Sequence, residues 1–405
     1  MRQINRGGVL RMLRDGGPMS RTELAERSRM AKPTVAAIVD DLVAEGLVNE
    51  VGLGEAMAVG GRRPRLLEFN ESSIAYLGVE FGVTRTSVAV ADGRGHLVSV
   101  RSRPSVTGAP ARSVQEVRRL AAAALESAGI PLDRVEAVGV SVPGSVDTDG
   151  VCTAGNLQWS DFPLRDAIEE VLGRPTVVRD NADVAALAEG ELGAAVDART
   201  YVRVYLGSGV GAGIMIDREM YSGSSGASGQ LGHCVVVDDG PLCVCGQHGC
   251  LEAVASAQAV VRDVERARGA GRRGRRPPPL DAVEVCRLAA EGDELAVAAM
   301  LRAAKHVSRG ISYLVNILNP ELIVVGGVLA SAGDVFLDEV RRILRQQLTG
   351  RPEVPLVGTA LADSAELQGA VLLAMRSKDQ EDHLLTPALA AVADAGRRAA
   401  VRPER

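Results

Sequence analysis

Apolar residues recur at helical spacing three times near the start of the chain. Between Ile4 and Leu13, Val9, Leu10 and Leu13 share one face. Ser20, with Glu23 three residues on, predicts a capping box and a second helix that carries Leu24 and Ala25 and ends near Ser28. The turn Arg29-Met30-Ala31 leads to a third helix from Lys32-Pro33-Thr34, where proline suits the first turn. Val35, Ile38, Val39 and Leu42 give that helix an inner face; Lys32, Thr34, Ala36 and Ala37 are left to face outward. Gly46-Leu47-Val48 then opens a two-stranded wing that Arg65 to Phe69 closes, with Gly60-Gly61-Arg62-Arg63-Pro64-Arg65 inside it.

From Ser73 the pattern alternates between strand and helix. Strands Ile74 to Glu80 and Ser87 to Ala91 flank the turn Phe81-Gly82-Val83-Thr84. Helix Ser113 to Ala128 and strand Ala137 to Val142 follow, then strand Thr176 to Asp180 and helix Ala182 to Gly190. Strand Tyr201 to Tyr205 runs into Leu206-Gly207-Ser208-Gly209-Val210-Gly211-Ala212-Gly213, whose backbone amides can form a nest for an anion. A helical stretch reaches about Arg268, helices Asp281 to Glu291 and Asp293 to Asn316 come next, and Leu322 to Val325 is a strand. Such alternation predicts α/β architecture after the helical start. Gly269 to Pro279 reads as a basic, solvated loop, and residues 376–405 as a mobile tail.

Composition narrows the function classes. A chain of 405 residues, 46% hydrophobic and 24% charged, suits two or three globular domains, and 2% aromatic content leaves the cores to aliphatic side chains. The net charge of −5 argues against a chain that coats nucleic acid along its whole length. Residues 1–70 differ, with eleven Lys/Arg against nine Asp/Glu. An apolar leader and an 18-residue apolar run are both missing from the sequence, which argues against export and against a membrane partner. Six cysteines fit a reducing cytoplasm better than a disulfide framework.

Two stretches carry candidate chemistry. In Gly232 to Glu252, His233, Cys243, Cys245 and Cys250 supply one imidazole and three thiolates. That donor set matches a closed tetrahedral zinc site with a structural role, and Gly246 and Gly249 allow the tight turn it needs. A cluster of small core residues is the alternative, since free cysteine packs like a small hydrophobe. The second stretch is the helix-turn-helix, whose second helix enters a major groove. Its candidate contacts to double-stranded operator DNA are Ser20, Arg21, Lys32, Thr34, Ala36 and Ala37, with Arg62, Arg63 and Arg65 of the wing suited to a minor groove. Helix-turn-helix units also serve as protein-binding domains; the wing arginines favour DNA.

The metal stretch, Gly-His, nine residues, then C-V-C-G-Q-H-G-C-L-E, resembles the signature of the ROK family of repressors and sugar kinases. Further segments resemble the same family: Gly155-Asn156-Leu157-Gln158-Trp159, Asp180 to Glu189, and Asn319-Pro320-Glu321-Leu322-Ile323-Val324-Val325-Gly326-Gly327. The resemblance covers about Met1 to Met375. It implies a winged helix-turn-helix domain (1–70) joined to an actin-like ATPase/sugar kinase fold of two α/β lobes, 73–195 and 196–375. It also implies a sugar pocket lined by Asn156, Asp180, Asn181, Gln230, His233 and Glu252. Departures from the family pattern matter. Asn181 stands where the kinases carry the aspartate that takes the proton of the sugar hydroxyl, and an amide cannot accept it. Gln230 replaces a sugar-binding glutamate, and Glu80-Phe81-Gly82-Val83-Thr84 departs from D-x-G-G-T.

The expectation is therefore a cytoplasmic transcriptional regulator, more a repressor than an activator, that answers to a sugar or sugar phosphate, lacks kinase activity and works as a homodimer or homotetramer. An ATP-dependent sugar kinase with an accessory DNA-binding head is the rival. A constitutive DNA-binding protein with a vestigial pocket is a third reading.

Overall fold

The computed structural model describes residues 2–54, 63–270, 279–350 and 352–379. The first element is α1 (Arg2–Gly16), followed by the short strand β1 (Met19–Ser20), α2 (Arg21–Ser28) and α3 (Lys32–Ala44). The expected capping box is present: the Glu23 N–H donates to Ser20 Oγ at 3.2 Å, and the Ser20 N–H donates to Glu23 Oε2 at 2.7 Å. Val35, Ile38, Val39 and Leu42 are all buried, as their spacing requires. The wing strands are β2 (Val48–Leu53) and β3 (Arg65–Phe69), and β3 lies between β1 and β2. That third strand was not legible beforehand, because two residues are too few to show alternation. The tip of the wing, with Arg62, lies outside the described residues.

The first lobe contains β4 (Ala75–Phe81), β5 (Arg85–Asp92), β6 (Leu97–Pro104), α4 (Pro110–Ala128), β7 (Val135–Val142), the small meander β8 (Ser145–Val146), β9 (Val151–Ala154) and β10 (Trp159–Pro163), α5 (Leu164–Leu172), β11 (Thr176–Asp180) and α6 (Asn181–Leu192). Its sheet order is β11-β7-β4-β5-β6. The second lobe has β12 (Tyr201–Leu206), β13 (Val210–Ile216), β14 (Glu219–Met220), α7 (Leu251–Ala255), α8 (Ala257–Ala270), α9 (Ala282–Ala290), α10 (Glu294–Leu318), β15 (Leu322–Gly326), α11 (Asp334–Gln347) and β16 (Leu356–Gly358). Its order, β14-β13-β12-β15-β16, repeats the first lobe's topology: an antiparallel three-strand meander extended by two parallel strands. Parallel strands need a crossover, and helices supply it in both lobes.

The sequence reading did not include α5, α11, β16 or the β8–β10 meander, and it differs from the structure in other places as well. The edge strand β6 was missed, although Val98-Ser99-Val100-Arg101 alternates apolar and polar residues; it pairs on one side only, and its alternation is inverted, with Val98 and Val100 exposed and Ser99 buried. The glycine run is only partly a loop, since Gly211 and Gly213 lie within β13 and the turn is Gly207 to Gly209. The last helix, α12 (365–379), does not end the second lobe at 375. It crosses back onto the first-lobe sheet and takes residues 376–379 of the expected tail with it. A Cβ on Gly139 of β7 would lie 1.9 Å from the Ala370 carbonyl oxygen, so helix and sheet backbones touch there and only glycine fits. The rest of that tail, 380–405, and most of the basic loop lie outside the described residues.

The head does not stand apart from the lobes. Val9, Leu13, Leu24, Leu42, Leu67 and Phe69 share one continuous core with Tyr76, Ala89 and Ala91 of the first-lobe sheet and with Leu367, Val371 and Met375 of α12. Among the described residues, no helix is long and apolar enough to cross a membrane.

Candidate functional site

On the head, Lys32, Thr34 and Ala37 are exposed on one side of α3 and Ala36 is half-buried beside them. Ser20 is the exception among the expected contacts. It is 4% exposed, with its hydroxyl in the capping box, so it shapes α2 instead of offering a surface. Arg21 is half-buried; its Nη2 donates to Asp40 at 2.7 Å and reaches Glu50 at 3.5 Å. Arg65, exposed on β3, pairs with the same Glu50, and Arg63 is exposed nearby. One carboxylate of the wing thus gathers two of the expected DNA-facing arginines, which the sequence spacing did not reveal.

The cleft residues come from both lobes. Asn156 lies in the turn after β9 and is exposed; Glu252 lies in the first turn of α7. A Cβ on Gly209 would sit 2.7 Å from Glu252 Oε2 and 3.9 Å from Asn156 Nδ2, so amide and carboxylate converge on the β12–β13 turn. The carboxylate is held: Val210 N–H donates to Glu252 Oε2 at 2.9 Å. The lobes also meet at Gly226, where a Cβ would fall 2.2 Å from the Val146 carbonyl oxygen of β8. Gln230, exposed, ends that loop, and the Ala212 N–H donates to the Gly229 carbonyl at 2.9 Å to fix it on β13.

The start of α6 carries three polar residues with separate fates. Asp180 is the cap: Oδ1 accepts the Ala182 N–H at 2.7 Å and Oδ2 accepts the Gly144 N–H at 3.3 Å. The residue keeps partial exposure, but its carboxyl is enclosed; burial raises its pKa to about 6 against the opposing pull of these backbone donors. Asn181 opens the helix and is half-buried. Asp183 is 2% exposed, and its Oδ1 has no hydrogen-bond partner among the described residues. Burial, then the nearby Asp180 charge, pushes the Asp183 carboxyl up to about 8, with Arg179 opposing.

The metal loop is preformed. His233 Nδ1 lies 3.7 Å from Cys243 Sγ, Cys245 Sγ lies 3.6 Å from Cys250 Sγ, and the donor atoms of all four residues fall within 4.8 Å of one another. The sulfur separation is far beyond a disulfide bond, and the cysteines are free. Gly246 and Gly249 have φ of 87° and 73°, and a Cβ on Gly249 would meet the Val237 carbonyl oxygen at 1.7 Å. This cluster can hold a metal ion. It also adjoins Glu252, because Cys250 is two residues away and directly precedes α7.

Sequence reasoning passed over Arg203. It lies on β12, is 1% exposed, and donates from Nη2 to Glu366 of α12 at 3.4 Å. The alternation Tyr201-Val202-Arg203-Val204-Tyr205 was the available signal: it places the arginine on the face opposite Val202 and Val204 of the lobe core.

The ROK family model matches residues 76–377, and the MarR family model matches residues 4–50. The chain is 28% identical to a xylose repressor of Caldicellulosiruptor bescii over 86% of this chain and 88% of that protein. A solved ROK family transcriptional regulator, a homolog of the E. coli MLC protein, superposes with a TM-score of 0.79 at 26% identity, over 95% of this chain and 98% of the other. A ROK hexokinase from Thermus thermophilus reaches 33% identity and a TM-score of 0.65, but its whole length accounts for only 76% of this chain.

Proposed function

Because this chain belongs to the ROK family, we propose that it is a DNA-binding transcriptional repressor whose operator affinity is set by a sugar or sugar phosphate held between its lobes, and that it does not phosphorylate that sugar. The observation that carries this reading is the head itself. A winged helix-turn-helix with an exposed α3 face shares a core with a sugar-kinase-like body, and the regulator relative matches both parts. Lys32, Thr34 and Ala37 would approach base edges, while Arg21, Arg63 and Arg65 would take phosphates or the minor groove.

Asn156, Glu252, His233, Gln230 and Asn181 would bind sugar hydroxyls, since amide groups both donate and accept while a carboxylate only accepts. Loss of the kinase reaction rests on the start of α6. Asn181 cannot take a proton, each Asp180 oxygen already accepts a backbone N–H, and Asp183 is buried beneath them. The hexokinase likeness keeps the rival, an ATP-dependent sugar kinase with an accessory head, specific enough to test.

We assign zinc to the metal loop, in a structural role. A zinc–sulfur bond of about 2.3 Å gives a tetrahedral sulfur–sulfur edge of roughly 3.8 Å, and the 3.6 Å between Cys245 and Cys250 supports it. Soft thiolates favour zinc over magnesium or calcium. The ion would brace α7 and hence Glu252 without joining any chemical step. A homodimer or homotetramer in the cytoplasm would present paired heads to a two-fold operator.

Selection of DNA from a random pool, with and without a panel of sugars and sugar phosphates that includes D-xylose, tests the reading. Enrichment of a two-fold sequence, relieved by one class of sugar, is expected. Sugar-dependent conversion of ATP to ADP, with no DNA enriched, would replace it with the kinase. Enrichment indifferent to every sugar would favour the vestigial pocket.

A further inference from the structure

We infer that α12 is the coupling strut of the molecule: it ties the interlobe hinge, through Arg203–Glu366, to the DNA-binding head, through Arg14–Asp379. The inference rests on the proposed function only for its biological purpose; the mechanical link is argued from contacts alone.

α12 touches all three bodies. At its first turn, Glu366 receives the buried Arg203 of the second lobe at 3.4 Å. Next, a Cβ on Gly369 would lie 2.1 Å from the Val184 carbonyl oxygen of α6, the helix that links the lobes. In the middle, Ala370 and Val371 sit directly on Gly139 and Gly78 of the first-lobe sheet. Toward its end, Val371, Ala374 and Met375 enter the same core as Val9 and Leu13 of α1. At the last described residue of α12, Asp379 accepts from Arg14 Nη2 at 2.7 Å and Nη1 at 3.3 Å, with Arg11 Nε at 3.7 Å. The carbonyl of Arg14 is in turn taken by Arg94 of the first lobe.

Close packing makes the helix move as a unit, because neither Gly139 nor Gly369 leaves a gap to absorb a shift. Its hinge end is poised to change. Arg203 is buried with Nε and Nη1 lacking a hydrogen-bond partner among the described residues; its guanidinium lies 5.9 Å from the Tyr205 ring centroid, and its carboxylate contact, to Glu366, is long. Buried donors left unsatisfied are costly. A change of lobe angle that completes or breaks this pairing therefore shifts the balance between two positions of α12. The other end reports that balance to α1, against which α3 is packed in the common core. A sugar that prefers one lobe arrangement can act on the head in this way.

Amide hydrogen exchange on the full chain, with neither DNA nor sugar added, reads the link. Glu366→Gln should speed exchange in α1 by on the order of threefold or more, although Glu366 pairs with the second lobe. Asp379→Asn should loosen α1 as well, and the double variant should be no looser than the larger single change. Independent, multiplying effects, or an α1 that ignores Glu366→Gln, would overturn the strut. If Glu366→Gln does not fold, Asp379→Asn is read in the reverse direction, where linkage requires faster exchange in α6; an unchanged α6 overturns it equally. Failure to enrich DNA would sink the regulator reading and leave these exchange results standing.

Discussion

Glu252 Oε2 accepts the backbone N–H of Val210 at 2.9 Å, which fastens the first turn of α7 to the β12–β13 hairpin. The same carboxylate faces Asn156 of the other lobe across Gly209. One residue thus joins the metal loop, the hairpin and the candidate sugar site. Glu252→Gln keeps the shape and removes the charge. Binding of whichever sugar relieves operator binding should weaken by roughly tenfold or more, as a charge-assisted hydrogen bond implies, while operator affinity without sugar stays within about twofold. Titration calorimetry and fluorescence anisotropy check the two halves.

Metal removal should act on the cleft before it acts on the head. Cys245→Ser deletes one of the four donors of the cluster. Bound zinc should fall well below one ion per chain by elemental analysis, and the sugar response should be lost first. The head keeps its own capping box and inner face, so its DNA contacts should survive. An intact sugar response in metal-free protein would contradict this.

Acid should stabilise the interior at the start of α6. Burial raises Asp183 to about 8 and Asp180 to about 6, above the value of about 4 for an unfolded aspartate. The folded state therefore binds more protons than the unfolded state between pH 4 and pH 8, and stability falls as pH rises through that window. Asp183→Asn, neutral and of the same shape, should raise the melting temperature at pH 8 by at least ~2 °C and flatten the decline between pH 5.5 and 8. Calorimetry at those two pH values decides it; a variant less stable at pH 8 than the parent would show that the charge is compensated.

Glu50 holds two arginines that the proposed reading assigns to DNA. Arg21 reaches it at 3.5 Å and Arg65 pairs with it, both near the surface. Exposed pairs contribute about 0–1 kcal/mol, so Glu50→Gln should tighten operator binding by only a few-fold. Arg21→Ala should weaken binding and lower the salt slope by about one. Anisotropy titrations across a salt series measure both.

Much of this was legible from local chemistry. The capping box at Ser20, the inner face of α3, strand β11 to the residue, and the histidine and three cysteines of the metal loop all depend on neighbours a few residues apart, and short-range spacing records such neighbours. The same spacing misread Ser20 as a surface contact, because capping a helix and facing a groove call for the same residue type. It also passed over β6, an edge strand whose alternation turns Val98 and Val100 outward and Ser99 inward.

By itself the sequence determined three things: a helix-turn-helix with a wing, a metal-donor cluster, and an alternation of strands and helices. Each follows from propensity and periodicity, which act within one turn or one pleat. Tertiary structure alone decided that α12 returns to the first lobe, that the head shares a core with that lobe, and that Arg203 meets Glu366, 163 residues further along the chain. It also decided that Asp180 serves as a cap while Asp183 is sealed in. The physical reason is that burial is shared between segments distant along the chain: a residue's neighbours in space set its dielectric, its partners and its charge, and no window along the chain contains them.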